Sequence, residues 1–223
     1  PWASDRRTLA LPLDMHEDPA VVAPGASFGS LFLIPGIGET LRIKGRVEEV
    51  ADGLAQVAVA ECYVHCAKAL IRSAFWRAAP LADRFENAAA FIDATRFMAL
   101  VTMDPDGGAD LSPKGDPAGS MVRADAGSLW FADRPGNRRM DSFRNIIAQP
   151  AIATILLVPG SHQLVVVHGD AHLTTDEAAR ERFAVQGKVP LLAIRVDQPE
   201  IELRDSAPLN RAEMSPVSVT SPR

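Results

Sequence analysis

Two short segments of this chain concentrate side chains able to hold an anion. Leu111-Ser112-Pro113-Lys114-Gly115 ends one apolar stretch, and Asp133-Arg134-Pro135-Gly136-Asn137-Arg138-Arg139-Met140-Asp141-Ser142 follows another. Together they gather Lys114, Arg134, Arg138 and Arg139 with the hydroxyls and amide of Ser112, Ser142 and Asn137, around glycine and proline turns. A guanidinium grips phosphate oxygens with a planar fork, an ammonium adds a compact charge, and hydroxyls and amides orient what is bound. In a chain of formal net charge −5 this is a local cationic pocket rather than a basic protein, and it suits a small phosphate-bearing ligand. A Gly/Pro-rich turn with solvated arginines has the same composition, so residue types alone leave both readings open.

Other reactive residues are sparse. Cys62 and Cys66 flank His65, but no second cysteine pair completes a structural zinc site, and they read as thiols in a reducing compartment. His162, His168 and His172 fall on or near one strand, where only His168 and His172 share parity, and they read as half-exposed strand histidines. No Ser-His-Asp order, catalytic carboxylate pair or Gly-rich nucleotide loop stands out.

At 223 residues and 47% hydrophobic content, the chain can bury a sizeable core in one generous domain or one and a half small ones. Neither Ile152 to Val158 nor any other apolar run approaches the roughly 20 residues of a membrane span, and Pro1-Trp2-Ala3-Ser4-Asp5-Arg6-Arg7 lacks an apolar signal core. A soluble, cytoplasmic protein is expected. The acidic balance and single tyrosine argue against a nucleic-acid surface, which needs a broad basic stripe with stacking aromatics.

The elements that must position the pocket are mostly strands. Residues 1–27 show no sustained period and read as loop, with one short helix near Leu13–Asp18. Strands are expected at 30–34, 40–47 and 55–64, followed by a helical segment, 65–76, that puts Lys68 and Arg72 four apart. Glu86–Phe97 reads as a helix with an apolar stripe of Phe85, Ala89, Phe91 and Ile92. Met98–Met103, the turn Asp104-Pro105-Asp106-Gly107-Gly108 and Ala109–Lys114 form a hairpin. Strands at 121–123 and 128–132, a helix over Met140–Ala148, strands at 151–158, 163–171 and 191–196, and a helix over Asp176–Gln186 capped by Thr175 complete the expectation.

An internal match cuts across this list. Leu31-Phe32-Leu33-Ile34-Pro35-Gly36 parallels Ile155-Leu156-Leu157-Val158-Pro159-Gly160, and Pro35 to Pro159 and Gly45 to Gly169 share one offset of 124. A fixed offset over several strands points to duplication of a supersecondary unit. The first copy holds only the back half of a unit whose second copy is complete.

The segments Ser112-Pro113-Lys114-Gly115-Asp116, Asp133 to Asn145, Pro159-Gly160 and His65-Cys66-Ala67-Lys68-Ala69-Leu70-Ile71-Arg72-Ser73-Ala74-Phe75-Trp76 together resemble the pyridoxamine 5′-phosphate oxidase-like flavoproteins. Residues 86–197 are similar to nearly a whole domain of that family, and 25–77 to the C-terminal half of another. The resemblance implies a mainly β (α+β) fold: an FMN-binding split β-barrel, six-stranded and Greek-key, with a partial second copy at the N-terminus. It divides the chain into a partial repeat over 1–80, a complete domain over 81–208 and a tail over 209–223. It further implies a homodimer, or a pseudo-dimer within the chain, with FMN in the groove between barrels. Ser112, Pro113 and Lys114 would line the ring and ribityl side. Asp133, Arg134, Asn137, Arg138 and Arg139 would hold the phosphate, and the first copy would lend Lys68, Arg72 and Trp76. The arginine that the family carries before its final strand glycine is Arg42 in the first copy but Val166 in the second. Flavin chemistry asks few acids or bases of the protein, so the expected function is FMN-dependent oxidation or reduction of an unidentified small molecule. A flavin-binding module or scaffold without catalysis is the alternative.

Overall fold

Period-two alternation of apolar and polar side chains recurs along the chain, and the computed structural model, which describes residues 2–3, 7–33, 39–136 and 139–211, turns it into two antiparallel sheets. The first has the order β1 (Trp2–Ala3), β2 (Thr8–Pro12), β5 (Leu54–His65), β4 (Thr40–Ala51), β3 (Ser27–Leu33). The second has the order β7 (Ala109–Gly115), β6 (Phe97–Met103), β10 (Ala151–Leu157), β11 (Gln163–Thr174), β12 (Ala193–Asp205), β9 (Ser128–Ala132), β8 (Val122–Asp125). This second sheet is the split β-barrel, with the seven strands that the pattern along the chain predicts and one more than the six that the resemblance implies. β8 folds onto β9 by a tight turn whose Ala126 and Gly127 both have positive φ, 47° and 79°.

Among the described residues there are five short helices: α1 (Lys68–Arg72), α2 (Ala88–Ala94), α3 (Asp141–Ala148), α4 (Glu177–Glu181) and, after the last strand, α5 (Ala207–Arg211). Four expectations need correction. The described residues within 1–27 are not all loop. Leu9, Ala10 and Leu11 of β2 are buried and cover the edge of β5, a role that four residues between Arg7 and Pro12 do not announce; two 3₁₀ turns replace the helix near Leu13. Helix α2 starts later and ends sooner than 86–97, because Asn87 accepts a hydrogen bond from the Ala90 amide and Arg96 already donates its amide to Leu157 of the sheet. The cap of α4 is Asp176, not Thr175, and the helix cannot reach Gln186 because Gln186 and Gly187 take positive φ in a turn closed by Val185 and Lys188. Finally, β12 runs on to Asp205 through Pro199. The ladder skips there from His168↔Glu200 to Asp170↔Asp197, so Pro199 falls where its missing N–H forfeits no bond.

The meander β3-β4-β5 repeats the arrangement of β10-β11-β12. Its register Ser27↔Arg46 through Leu33↔Thr40 recurs 124 positions later as Ala151↔Asp170 through Leu157↔Leu164. The irregularity at Gly45, where a Cβ would run into the Ala58 carbonyl, recurs at Gly169. Each sheet buries its own cluster: Leu9, Leu11, Ile43, Val47 and Val57 in the first, and an interior including Phe91, Met98, Leu100, Leu129, Phe131, Leu156 and Ile194 in the barrel. A third cluster joins them, with Ala69, Leu70 and Phe75 around α1 packed on Phe97, Leu157, Leu31 and Leu33.

Candidate functional site: a cationic cradle between the sheets

The C-terminal end of β7 supplies one wall. Because β7 is a sheet edge that pairs only with β6, Pro113 costs no ladder bond there. Gly115 lets α1 settle on the strand, since a Cβ at this position would overlap the Ala69 carbonyl. The opposite wall is the end of β9 with Asp133 and Arg134, and the floor is the start of α3 with Ser142 and Phe143. Between them lies a narrow cavity of about 70 Å³, whose lining includes Arg42, His65, Cys66, Lys68, Arg72, Ser112, Pro113 and Lys114. It shares Lys68, Arg72, Asp116, Asp133, Arg134, Arg139 and Phe143 with an outer groove of about 690 Å³ that adds the apolar side chains of Ile71, Met140, Val189, Pro190 and Leu191.

Six cations (Arg42, Lys68, Arg72, Lys114, Arg134, Arg139) line the inner cavity against three carboxylates, Asp116, Asp133 and Asp141. Buried Asp116 carries two of the six: it accepts from Arg134 Nε and lies 3.2 Å from Arg72 Nε. Arg72 also donates to the Gly115 carbonyl at 2.8 Å and the Pro135 carbonyl at 3.3 Å, and Arg134 to the Phe183 carbonyl at 2.7 Å, so both guanidiniums are held in place. One nitrogen of Arg134, Nη2, is buried with no acceptor among the described residues. Lys114 has no hydrogen-bond or ion-pair partner among the described residues, and its ammonium lies 5.3 Å from the Phe143 ring centre and 6.0 Å from that of Phe131. Burial pushes its pKa down, while Asp133 and Asp110 oppose the shift. A bound anion would oppose the downward shift.

A second charged node, around Asp110 of β7, joins the sheets. Its Oδ1 is 2.6 Å from both Arg42 Nη2 and Lys44 Nζ of β4, and its Oδ2 accepts from Ser112 at 3.0 Å and Ser142 at 3.2 Å. Burial alone would raise this carboxyl, but Arg42 and Lys44 outweigh it and hold the pKa below the ordinary value. The neighbouring His65 is driven down to about 4, by burial first and by Arg42 second, and is neutral at pH 7.

The structure therefore brings Ser112, Pro113, Lys114, Asp133, Arg134, Arg139, Lys68, Arg72 and Arg42 to one cavity. Asn137 and Arg138 lie outside the described residues. Trp76 is not in the lining: it packs edge-on against Phe75, 4.9 Å between ring centres, in the cluster beneath α1. Arg139 reaches the wall but also donates to Asp141 at 2.7 Å and Glu61 at 3.3 Å and stacks on Tyr63. Arg42 is committed to Asp110, and Val166, its counterpart in the barrel, is buried. Asp110 and the groove residues Val185–Leu191 were not expected at the site, and His65 and Cys66, weighed only as metal ligands and as part of the family-like segment, line it. Asp110 carried a usable signal, as it stands two residues before Ser112 on the same strand face. His162, His168 and His172 do not line the cradle.

The residues present fit a phosphorylated flavin: a surplus of fixed donors, a buried guanidinium nitrogen and a half-buried ammonium with no acceptor among the described residues, and an outer groove whose volume falls within the roughly 300–1,000 Å³ usual for ligand sites and whose wall is largely apolar. Among the described residues no helix is long and apolar enough to cross a membrane. Among solved structures, the chain is similar to HupZ of Group A Streptococcus (19% identity, TM-score 0.44, covering 56% of this chain and 96% of that one) and to an F420 reductase (20%, 0.39, 53% and 98%). A pyridoxamine 5′-phosphate oxidase-related, FMN-binding protein of Nostoc punctiforme is also similar (17%, 0.34, 52% and 77%). No curated protein matches. The family model described as pyridoxamine 5′-phosphate oxidase matches residues 85–205, a span that runs from before α2 to the end of β12 and includes every cradle residue except those lent by β4, β5 and α1. More than half of the chain is thus matched, and it belongs to the pyridoxamine 5′-phosphate oxidase family, a flavin-binding family.

Proposed function

We propose that the chain binds FMN in the cradle and acts as an FMN-dependent oxidoreductase on a small molecule. What carries the reading is the unneutralised charge: among the described residues no anion meets Lys114 or Arg134 Nη2, which line a cradle beside an apolar groove large enough for a ring. Arg72, Arg134 and Lys68 would hold the phosphate, with Asp116 fixing the first two. Phe143, Met140, Val189 and Leu191 would wall the ring and keep water from it, and Lys114 would place a positive charge along its edge. When bound, the flavin supplies the electron transfer; the protein binds, orients and excludes solvent.

We also propose that β3-β4-β5 and α1 take the part that a second barrel would play, so that one chain is a pseudo-dimer with one cradle. The shared register and the bulge glycines at an offset of 124 support this, as does Arg72 reaching from α1 into the barrel's site. The free thiols of Cys62 and Cys66 suit a reducing cytoplasm.

The test is mass spectrometry of ligand released from purified protein, with flavin absorbance that bleaches with dithionite or a nicotinamide donor and recovers in air. A second reading, flavin binding without catalysis, is favoured by Val166 standing where β4 carries Arg42. A protein that retains FMN but turns over with no donor and acceptor tried would support it. Protein that stays colourless in excess FMN would overturn both.

A further inference from the structure

The two serine hydroxyls of the cradle have their protons directed away from it. We infer that Asp110 makes Ser112 and Ser142 hydrogen-bond acceptors toward the cavity, so that this end reads N–H or O–H groups of the flavin's ring or polyol chain, while the phosphate is left to Arg72, Arg134 and Lys68. The inference deepens the flavin reading above and rests on it.

Each serine hydroxyl has one proton and two lone pairs, and an ionised carboxylate can only accept. Asp110 is 1% exposed, and its Oδ1 is occupied by Arg42 and Lys44. Its Oδ2 faces both hydroxyls, at 3.0 Å from Ser112 and 3.2 Å from Ser142, and the two oxygens are 2.8 Å apart. Whether Ser142 donates to Asp110 or to Ser112, both protons stay inside this triangle, and only lone pairs remain for the cavity that both serines line. Phosphate oxygens at neutral pH are themselves acceptors, so lone pairs repel them and attract a donor. Burial of the carboxylate without Arg42 and Lys44 would favour its protonated form, which could donate and reverse the pattern. The first sheet therefore sets the hydrogen-bonding sense of serines that belong to β7 and α3.

Riboflavin, which is FMN without its phosphate, separates the two ends of the cradle. Protein freed of flavin is titrated with FMN and with riboflavin, following quenching of flavin fluorescence. Ser112→Ala and Ser142→Ala are each expected to weaken both ligands by the same factor, about three- to tenfold, the value of one hydrogen bond. Arg134→Gln is expected to weaken FMN at least tenfold and leave riboflavin unchanged. Asp110→Asn should weaken both ligands, and adding it to Ser112→Ala should cost little more, because the two act as one unit. Should Asp110→Asn fail to fold, the two serine variants carry the comparison. Loss confined to FMN in the serine variants, or independent multiplying losses for Asp110→Asn and Ser112→Ala, would overturn the inference while leaving the flavin reading standing. Wild-type protein that takes up neither flavin overturns both.

Discussion

Lys114 shows how a single residue can be kept at the expense of stability. It is an ammonium between two phenyl rings with no anion against it, and desolvation lowers its pKa, so removing the charge should relieve the empty protein. Lys114→Met is expected to leave the flavin-free fold as stable or to raise it by about 1 kcal/mol, while flavin uptake falls by tenfold or more; thermal melting and flavin titration of the same preparation check both. His65 gives a second, pH-dependent expectation. Its folded pKa of about 4 lies below the ordinary 6.5, so between these values the unfolded chain binds the extra proton. Stability is then fully present above about pH 6.5 and declines as pH falls toward 4. Urea unfolding across that range should show a slope that flattens in His65→Asn. Asp110, whose pKa is depressed from 3.8, contributes stability that is lost only below that value, outside the histidine window.

Among the elements, α1 has the most demanding position. It is only five residues long and has no side-chain cap, so its helicity comes from packing on β7 and the cluster beneath it rather than from propensity. Gly115→Ala would push the helix off the strand by overlap with the Ala69 carbonyl. A cost of about 2–3 kcal/mol, as for other overpacked contacts, and a fall of roughly 5–10 °C in Tm are expected. Because Arg72 leaves with the helix, flavin affinity should fall more than the loss of stability explains; calorimetry and titration measure the two separately. Elements of this kind were only partly legible. The Lys68/Arg72 spacing already put both cations on one helical face, and the Asp104–Gly108 turn formed where its residues indicated, with the Asp104 amide donating to the Gly108 carbonyl. β2 was invisible, because its strand character arises from the edge of β5 that it covers, and α4 stopped early because Gln186 accepted a strained φ to close a turn.

For the whole molecule, the Asp110 node and the α1 cluster join the first sheet to the barrel, together with Arg46 donating to the Asp106 carbonyl and Arg204 paired with Glu17. Replacing Arg42 by Met leaves Lys44 as the only cation on a buried carboxylate, and a loss of about 3 kcal/mol is expected, read as a lower urea midpoint with faster proteolysis after Arg77. Light scattering on the flavin-loaded protein should give the mass of one chain with one flavin, and a two-chain mass would contradict the pseudo-dimer. By itself the amino-acid order determined the strand-rich architecture, the two cationic segments and the repeat at 124 residues, because alternation, turn residues and charge are properties of neighbours along the chain. What only the tertiary structure decided is which charges are left over. Arg139 and Arg42 were bound by Asp141, Glu61 and Asp110, Trp76 packed half-buried against a hydrophobic cluster, and among the described residues Lys114 and one nitrogen of Arg134 met no anion. Counter-charges come from residues far apart in sequence, such as Arg42 and Asp110, and no pattern along one strand records that meeting.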